Sequence, residues 1–203
     1  ADVCRREELE QLADALEQLS ENERRIIILY YYSGMKLKDA AGNVVAKASA
    51  KAAAAQKVAL KVKNPHIWDL NDPYLYTLEA SIVSGKNTLD ATTVKVGIRT
   101  LQFDPNKGFA LNGNWMKVKG VCIHHDAGVL GAAVPEPVIR HRLEVLKQYG
   151  ANAIRTAHNP QTPYFYDICD EIGLLVMDEA YDEWEFPKKK WVEGWNQGTP
   201  SMD

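Results

Sequence analysis

Three clusters of polar side chains follow three apolar segments in the second half of the chain. They read His-His-Asp at 124–126, Arg-Thr-Ala-His-Asn-Pro at 155–160 and Asp-Glu-Ala-Tyr-Asp-Glu-Trp at 178–184. In a parallel α/β array, side chains at the carboxyl ends of the strands meet at one edge. Imidazole, guanidinium and carboxylate groups can bond sugar hydroxyls there, and aromatic faces can cover the apolar side of a pyranose. The clusters are compatible with a sugar site and equally with a scaffold role.

The structural interpretation of these clusters is specific. Arg155, inside a strand, can pair with Asp178 or Glu179, because a charge buried in a barrel needs a partner. Asp178 and Glu179 are neighbours on a strand, so they point to opposite faces and cannot together form the carboxylate pair of a glycosidase. The histidine spacing establishes no set of three or four metal ligands, and we predict neither a metal nor a cofactor.

The elements that must position these clusters have a β-α-β-α-β order. Apolar residues at 116–124, 151–157 and 174–180 predict strands. Proline near the start and glycine after the end predict helices over 135–149 and 163–172. Crossovers of this kind imply a parallel sheet or barrel.

Upstream of this α/β part, residues 42–103 read as short strands separated by turns, which is typical of a small antiparallel sandwich. The alanine-rich stretch 46–59 is also compatible with helix by propensity. Its first half alternates apolar and polar residues, which favours a strand.

The first 40 residues have a helical pattern instead. Leucines at 9, 12, 16 and 19 recur at three- and four-residue steps, which predicts an amphipathic helix. Ser20 and Glu23 fit a capping box for a second helix that runs through RRIIILYYYS and ends at Gly34. Residues 35–40 begin a further helical segment.

Composition narrows the classes of protein. The chain has 203 residues, and 46% of them are hydrophobic, which is enough apolar material for a core. A length of 203 residues is too short for a sandwich plus a complete (β/α)₈ barrel. The net charge is −3 and comes from residues 1–40, while the rest of the chain is neutral. Neither part has the excess of Lys and Arg that dominates nucleic-acid binding. No apolar run reaches a membrane span, and the first residues are charged where a signal peptide is apolar. The three cysteines have no zinc or disulfide spacing.

The segment at 152–177, NAIRTAHNPQTPYFYDICDEIGLLVM, closely resembles the signature of glycoside hydrolase family 2, the β-galactosidase and β-glucuronidase family. Asn159 stands where the family usually has Tyr, while the flanking His158 and Pro160 are retained. FALNGNWMKVKGVCIHHD and MDEAYDEW resemble the family's first and third barrel strands, and GIRTLQFD resembles its hinge from sandwich to barrel. The resemblance covers about residues 41–186.

This resemblance implies an immunoglobulin-like β-sandwich over 41–104 and the first β-α-β-α-β part of a (β/α)₈ barrel over 105–203. Family members perform retaining hydrolysis of terminal β-O-glycosidic bonds with two glutamates, and neither glutamate motif matches this sequence. We therefore expect a fragment that is inactive alone. The resemblance assigns no catalytic residue here. It implies that His158 and, less directly, His124 contribute to the sugar site, and that Asp178 and Glu179 stand at rim positions. The strand-end clusters add Asn159, Arg155 and Trp184 to the candidate residues that bind the β-linked sugar. Some members bind Mg²⁺ near Glu183, but Glu185 stands where a histidine ligand is expected.

Residues 5–40 resemble a different family, region four of bacterial sigma factors, which ends in a DNA-reading helix-turn-helix. The match stops before the recognition helix, without which no side chain reaches the major groove. We therefore expect 1–40 to be an incomplete helical segment, and the chain to be a chimera or a mispredicted reading frame joined near residue 40.

Two alternatives to a glycosidase fragment remain at this point. One is a DNA-binding, sigma-like transcription module, against which the charge balance and the missing helix both weigh. The other is a non-catalytic carbohydrate-binding protein that uses the sandwich and the exposed rim. The sequence predicts neither the oligomeric state nor the compartment, and it indicates no membrane partner.

Overall fold

The computed structural model describes residues 24–29, 34–50, 57–84 and 86–181. The chain divides into two compact units. One unit extends to Trp68 and includes Tyr74–Arg99, and the other combines Asp69–Pro73 with the chain from Thr100 onward. Within the described ranges, no helix is long and apolar enough to cross a membrane.

In its described residues, the first unit contains six antiparallel strands. They are β1 (Arg24–Leu29), β2 (Gly34–Lys38), β3 (Val44–Ser49), β4 (Lys57–Val62), β5 (Tyr76–Ser84) and β6 (Asn87–Val96). Strands β3-β2-β5-β6 form one sheet in that order, and β1 pairs with β4. The side chains alternate between buried and partly buried from Tyr76 to Ser81 of β5, as the period of two in a strand requires.

A single apolar core lies between these strands. Leu37 of β2, Leu60 of β4 and Leu78 of β5 are each at most 1% exposed and belong to the same cluster. Burial of leucines from both sheets is the packing of a β-sandwich, in which two inner faces interdigitate.

The second unit begins with an antiparallel meander and continues as a parallel sheet with two helices. The meander contains β7 (Leu101–Asp104), β8 (Gly108–Leu111) and β9 (Asn114–Met116). The sheet contains β10 (Gly120–Ile123), β11 (Ala153–Thr156) and β12 (Leu175–Asp178), in that order. Helix α1 (Glu136–Gln148) connects β10 to β11, and α2 (Pro163–Ile172) connects β11 to β12.

The helices bury one face each against the sheet. Leu143 of α1, Ile154 of β11 and Ile168 of α2 are fully buried in one cluster. Both helices carry proline in the first turn, and α2 ends at Gly173 in the left-handed conformation, with φ of 78°. These termini follow the sequence signals that predicted them.

The β-α-β-α-β order and the strands within 42–103 are therefore present as predicted. The strand expected over 116–124 is interrupted, since Met116 ends β9 and β10 begins at Gly120. In the alanine-rich stretch, β3 and β4 are strands, as the alternation indicated, and 51–56 lie outside the described residues.

The helical prediction for the residues before 41 is wrong where the structure describes them. Arg24–Leu29 form strand β1, although a second helix was expected there, and Gly34–Lys38 form β2. Met35 and Leu37 are buried on either side of exposed Lys36, which is a period of two and not 3.6. The isoleucine run of β1 has high strand propensity, which the capping-box signal outweighed in the prediction. The helix expected around Leu9–Leu19 lies outside the described residues.

Candidate functional site

The carboxyl ends of the three parallel strands meet at one edge of the sheet. Ile123, Thr156 and Asp178 occupy the same level, because Ile123 pairs with Thr156 and Thr156 with Asp178. The polar residues that follow each strand therefore start from one line, as the sequence predicted. The first predicted cluster follows β10, the second begins within β11, and the third begins at the last residue of β12.

Glu179 is the centre of this edge. The Arg155 Nε–H donates to Glu179 Oε1, and His158 Nδ1 lies 3.0 Å from Oε2 of the same carboxylate. The Glu179 side chain is 22% exposed, while Arg155 and His158 are near 40%. The structure thus selects Glu179 over Asp178 as the partner of Arg155.

Arg155 and Glu179 shift each other's pKa. The hydrogen bond from Arg155 holds the pKa of Glu179 below its ordinary value; burial opposes this effect, and the hydrogen bond from His158 adds a smaller lowering. Glu179 in turn raises the pKa of Arg155, with a smaller contribution from the Cys122 thiol 3.5 Å from Nη1. The carboxylate is therefore ionised near neutral pH and acts only as an acceptor.

An acceptor-only Glu179 determines how the His158 ring is used. Because the carboxylate cannot donate, Nδ1 must carry the proton in the 3.0 Å contact. Nε2 is the second ring nitrogen and takes no part in this contact. The His124 ring meets His158 edge to face, with the centroids 5.7 Å apart and the planes at 73°. Two imidazoles from different strand ends are thus brought together beside Glu179.

Asp178 lies apart from this trio. Its Oδ1 accepts hydrogen bonds from Thr156 Oγ1, over 2.8 Å, and from the Tyr166 hydroxyl, over 2.7 Å. Burial raises the pKa of Tyr166, and the bond to Asp178 adds to the effect. Asp178 and Glu179 therefore use different partners, as the alternation of side chains along a strand requires.

The remaining candidate residues are Asn159 and Trp184. Asn159 is exposed in the loop after β11, and Trp184 lies outside the described residues. Thr156 and Tyr166 contact the site without having been assigned a role from the sequence. A hydroxyl residue at the end of an apolar strand is the signal that could have identified Thr156. Tyr166 lies on α2 and has no comparable signal in the sequence.

A small cavity opens beside the histidines. It measures about 50 Å³ and is lined by His124, Arg142, Gln161 and Phe165, among others. Ligand pockets for drug-sized molecules are roughly 300–1,000 Å³, so this cavity is too small to hold such a ligand. Within the described part of the chain, no three His, Cys, Asp or Glu side chains are placed to hold a metal ion.

Two family models match the chain. The model of glycosyl hydrolases family 2 matches residues 19–99, and that of the glycosyl hydrolases family 2 TIM barrel domain matches residues 105–189. The first match runs across residue 40, where the sequence predicted a junction. The expected resemblance to sigma factors is not shown by these comparisons.

Curated relatives agree with these matches. The chain is 47% identical over 160 residues to the β-galactosidase BoGH2A of Bacteroides ovatus, which covers 76% of this chain and 19% of that enzyme. It is 33% identical over 125 residues to a β-glucuronidase of Bacteroides fragilis, covering 61% of this chain and 18% of the enzyme. The chain thus spans less than a fifth of the length of these relatives.

Solved structures show the same likeness. A β-glucuronidase from Ruminococcus gnavus, in complex with N1-substituted uronic isofagomine, superposes with a TM-score of 0.72 at 29% identity and covers 81% of this chain and 29% of that one. A β-glycosidase from Bacteroides vulgatus superposes with a TM-score of 0.68 at 32% identity, covering 83% of this chain and 24% of that one.

Proposed function

Since this chain belongs to glycoside hydrolase family 2, we propose that its strand-end edge binds the sugar of a terminal β-O-glycoside whose bond the whole enzyme hydrolyses. The observation that carries the proposal is the double contact of Glu179 with Arg155 and His158. Enzymes of this architecture hold substrate at the carboxyl ends of the parallel strands. The paired Arg155 and the oriented imidazole of His158 lie at these ends.

The proposed binding chemistry follows from the orientation of His158. With Nδ1–H directed at Glu179, Nε2 is the ring nitrogen that would contact a sugar hydroxyl. His124, at the end of β10, lies against the same ring and can contribute a second polar contact. We assign the sugar-contacting edge to the residues named from the resemblance: His158, His124, Asn159, Arg155, Asp178, Glu179 and Trp184.

We also propose how the domains correspond to the family. The meander and the parallel sheet would be the start of a (β/α)₈ barrel from about residue 105, with β10–β12 as its first three strands. The sandwich would precede it to about residue 104. Strand β2 pairs with β3 and β5, which supports including residues before 41 in that sandwich.

We further propose that the 203 residues alone do not catalyse hydrolysis. Retaining glycosidases need two carboxyl groups about 5–5.5 Å apart across the scissile bond. Glu179 is ionised and bound by Arg155 and His158, and Asp178 accepts from two hydroxyls. Neither carboxylate is arranged to attack a sugar or to protonate a leaving group.

Calorimetric or NMR titration of the chain with methyl β-galactoside and methyl β-glucuronide tests the binding proposal. We expect weak binding of one of them that His158→Ala abolishes, while His141→Ala, an exposed histidine on α1, leaves it intact. Equal effects of the two variants would refute a role for His158. Turnover of nitrophenyl β-galactoside or β-glucuronide that survives His158→Ala would refute the proposed inactivity.

A non-catalytic carbohydrate-binding protein is the second candidate, favoured by the open edge. Trp184→Ala separates it from an inert segment, because an aromatic platform contributes to sugar affinity. Loss of binding in that variant, in a longer chain that shows no hydrolysis, would support this candidate.

A further inference from the structure

The carboxylate of Asp178, at the end of β12, joins two hydroxyl groups, one at the end of β11 and one on α2. Thr156 Oγ1 and the Tyr166 hydroxyl both donate to Asp178 Oδ1, over 2.8 and 2.7 Å. Each hydroxyl has one proton, which is committed to the carboxylate, and two lone pairs that can accept. Both O–H donors therefore converge on a single carboxyl oxygen of Asp178.

The same two hydroxyls accept backbone amides. Glu179 N–H donates to Thr156 Oγ1 over 2.9 Å, and Gln161 N–H donates to the Tyr166 hydroxyl over 2.9 Å. The four hydrogen bonds form one network that links the end of β12, the end of β11, helix α2 and the loop after β11. Thr156 is fully buried, so its hydroxyl has no water to replace a lost partner.

The two amides belong to the segments that carry the sugar-site side chains. Gln161 closes the loop that bears His158 and Asn159, and Ala157 N–H opens that loop with a 3.1 Å bond to Ile123 O. Glu179 is held at its backbone by Thr156, while its side chain reaches Arg155 and His158. The hydroxyl–carboxylate set therefore restrains both partners of the Glu179–His158 contact.

We propose that Thr156, Asp178 and Tyr166 are positioning residues that hold the Glu179 carboxylate against His158 Nδ1 and so fix the tautomer of the imidazole. The inference rests on the proposed sugar site, whose geometry it explains. Asp178 serves that site through its two hydroxyl partners. Preorganisation of this kind increases affinity because the loop is ordered before the ligand arrives.

The experiment compares Tyr166→Phe with Tyr164→Phe in the 203-residue chain. Tyr164 lies on the same helix, and its hydroxyl donates to Val134 O over 2.8 Å, away from Asp178. Amide exchange reports the backbone, and the ¹⁵N signals of the imidazole report its tautomer. In Tyr166→Phe we expect Gln161 N–H to exchange about five- to tenfold faster and the His158 Nδ1–H fraction to fall. Tyr164→Phe should leave both signals unchanged.

The second hydroxyl gives an independent test with a conservative rescue. Thr156→Val removes the hydroxyl at similar volume, and Thr156→Ser retains it. We expect faster Glu179 N–H exchange and a lower Nδ1–H fraction in the valine variant, and near-wild-type values in the serine variant. A folded Tyr166→Phe or Thr156→Val with unchanged exchange and tautomer would overturn the proposal. If the tyrosine variant does not fold, the threonine pair decides.

These signals are read without sugar, so they separate the two proposals. A wild-type chain that binds no glycoside but shows the expected exchange and tautomer changes would contradict the sugar site and retain the positioning role. A chain that binds a glycoside equally well in all variants would overturn the positioning role and retain the sugar site.

Discussion

A methyl group added at Gly173 is expected to destabilise the second unit much more than one added at Gly150. Both glycines lie just after a helix with positive φ, 78° and 91° respectively. A Cβ at Gly173 would overlap Leu70 O and lie 2.8 Å from Lys147 Nζ, whereas a Cβ at Gly150 meets no heavy atom within 4 Å. The pair therefore separates backbone strain from steric overlap.

The two contributions have different sizes. A left-handed conformation costs a non-glycine residue roughly 1–2 kcal/mol, and this is the whole expected effect of Gly150→Ala. At Gly173 a backbone carbonyl must also move, together with Lys147, whose ammonium donates to Leu70 O, Ile172 O and Gly173 O. Overpacking of this kind adds about 1–3 kcal/mol, so Gly173→Ala should cost roughly 3 kcal/mol.

Thermal unfolding of the two variants, followed by circular dichroism, measures the difference. In a chain of this size 1 kcal/mol lowers Tm by about 2–4 °C, so Gly173→Ala should lower Tm by roughly 6–12 °C. Gly150→Ala should lower it by only about 2–8 °C. Equal shifts would show that φ alone selects glycine at both positions, and would refute the close approach of Leu70 and Lys147 as the reason for Gly173.

Three further predictions concern the site and its support. Glu179→Gln should lower Tm above about pH 4.5, the ordinary pKa of Glu, because the ionised carboxylate is stabilised in the folded state. The difference from wild type in paired pH-dependent melts should disappear as pH falls through the lowered folded pKa, and a difference that grows in acid would contradict this sign. Cys169, buried and with its pKa raised to about 12, should resist maleimide at pH 8 until the chain unfolds, while exposed Cys122 reacts in the folded state. Mass spectrometry of labelled peptides locates the modified thiol, and rapid labelling of Cys169 would be inconsistent with its burial. Leu143→Ala, at a fully buried position of α1, should cost about 3 kcal/mol in urea denaturation, and a loss below about 1 kcal/mol would indicate that the core relaxes into the space.

Local signals predicted the helices of the second unit well. Pro163 at the first turn and Gly173 after the last define α2 to the residue, because both act on their own backbone. The residues before 41 were predicted incorrectly because their structure depends on pairing with other strands and not on local signals. Gly34–Lys38 is a strand because it pairs with Val44–Ser49 and Tyr76–Ser84, and a five-residue segment shows too few periods to identify such partners.

The site was predicted as a set of residues but not as a set of contacts. The rule for parallel strands placed His124, His158 and Glu179 at one edge. It could not choose between Asp178 and Glu179 as the partner of Arg155, because adjacent positions differ only in the face they occupy. Thr156 and Tyr166 were not assigned, since their role depends on one carboxylate that both reach.

The sequence by itself determined the family, the order of strands and helices in the second unit, and the edge where the polar side chains collect. The family follows from the resemblance of the segment at 152–177, and the other two follow from residue type and spacing within a few turns or strands. Only the tertiary structure decided that Glu179 binds both Arg155 and His158 while Asp178 binds Thr156 and Tyr166. These contacts join residues that are 12 to 24 positions apart, and only packing of the helices on the sheet brings their atoms within hydrogen-bond distance.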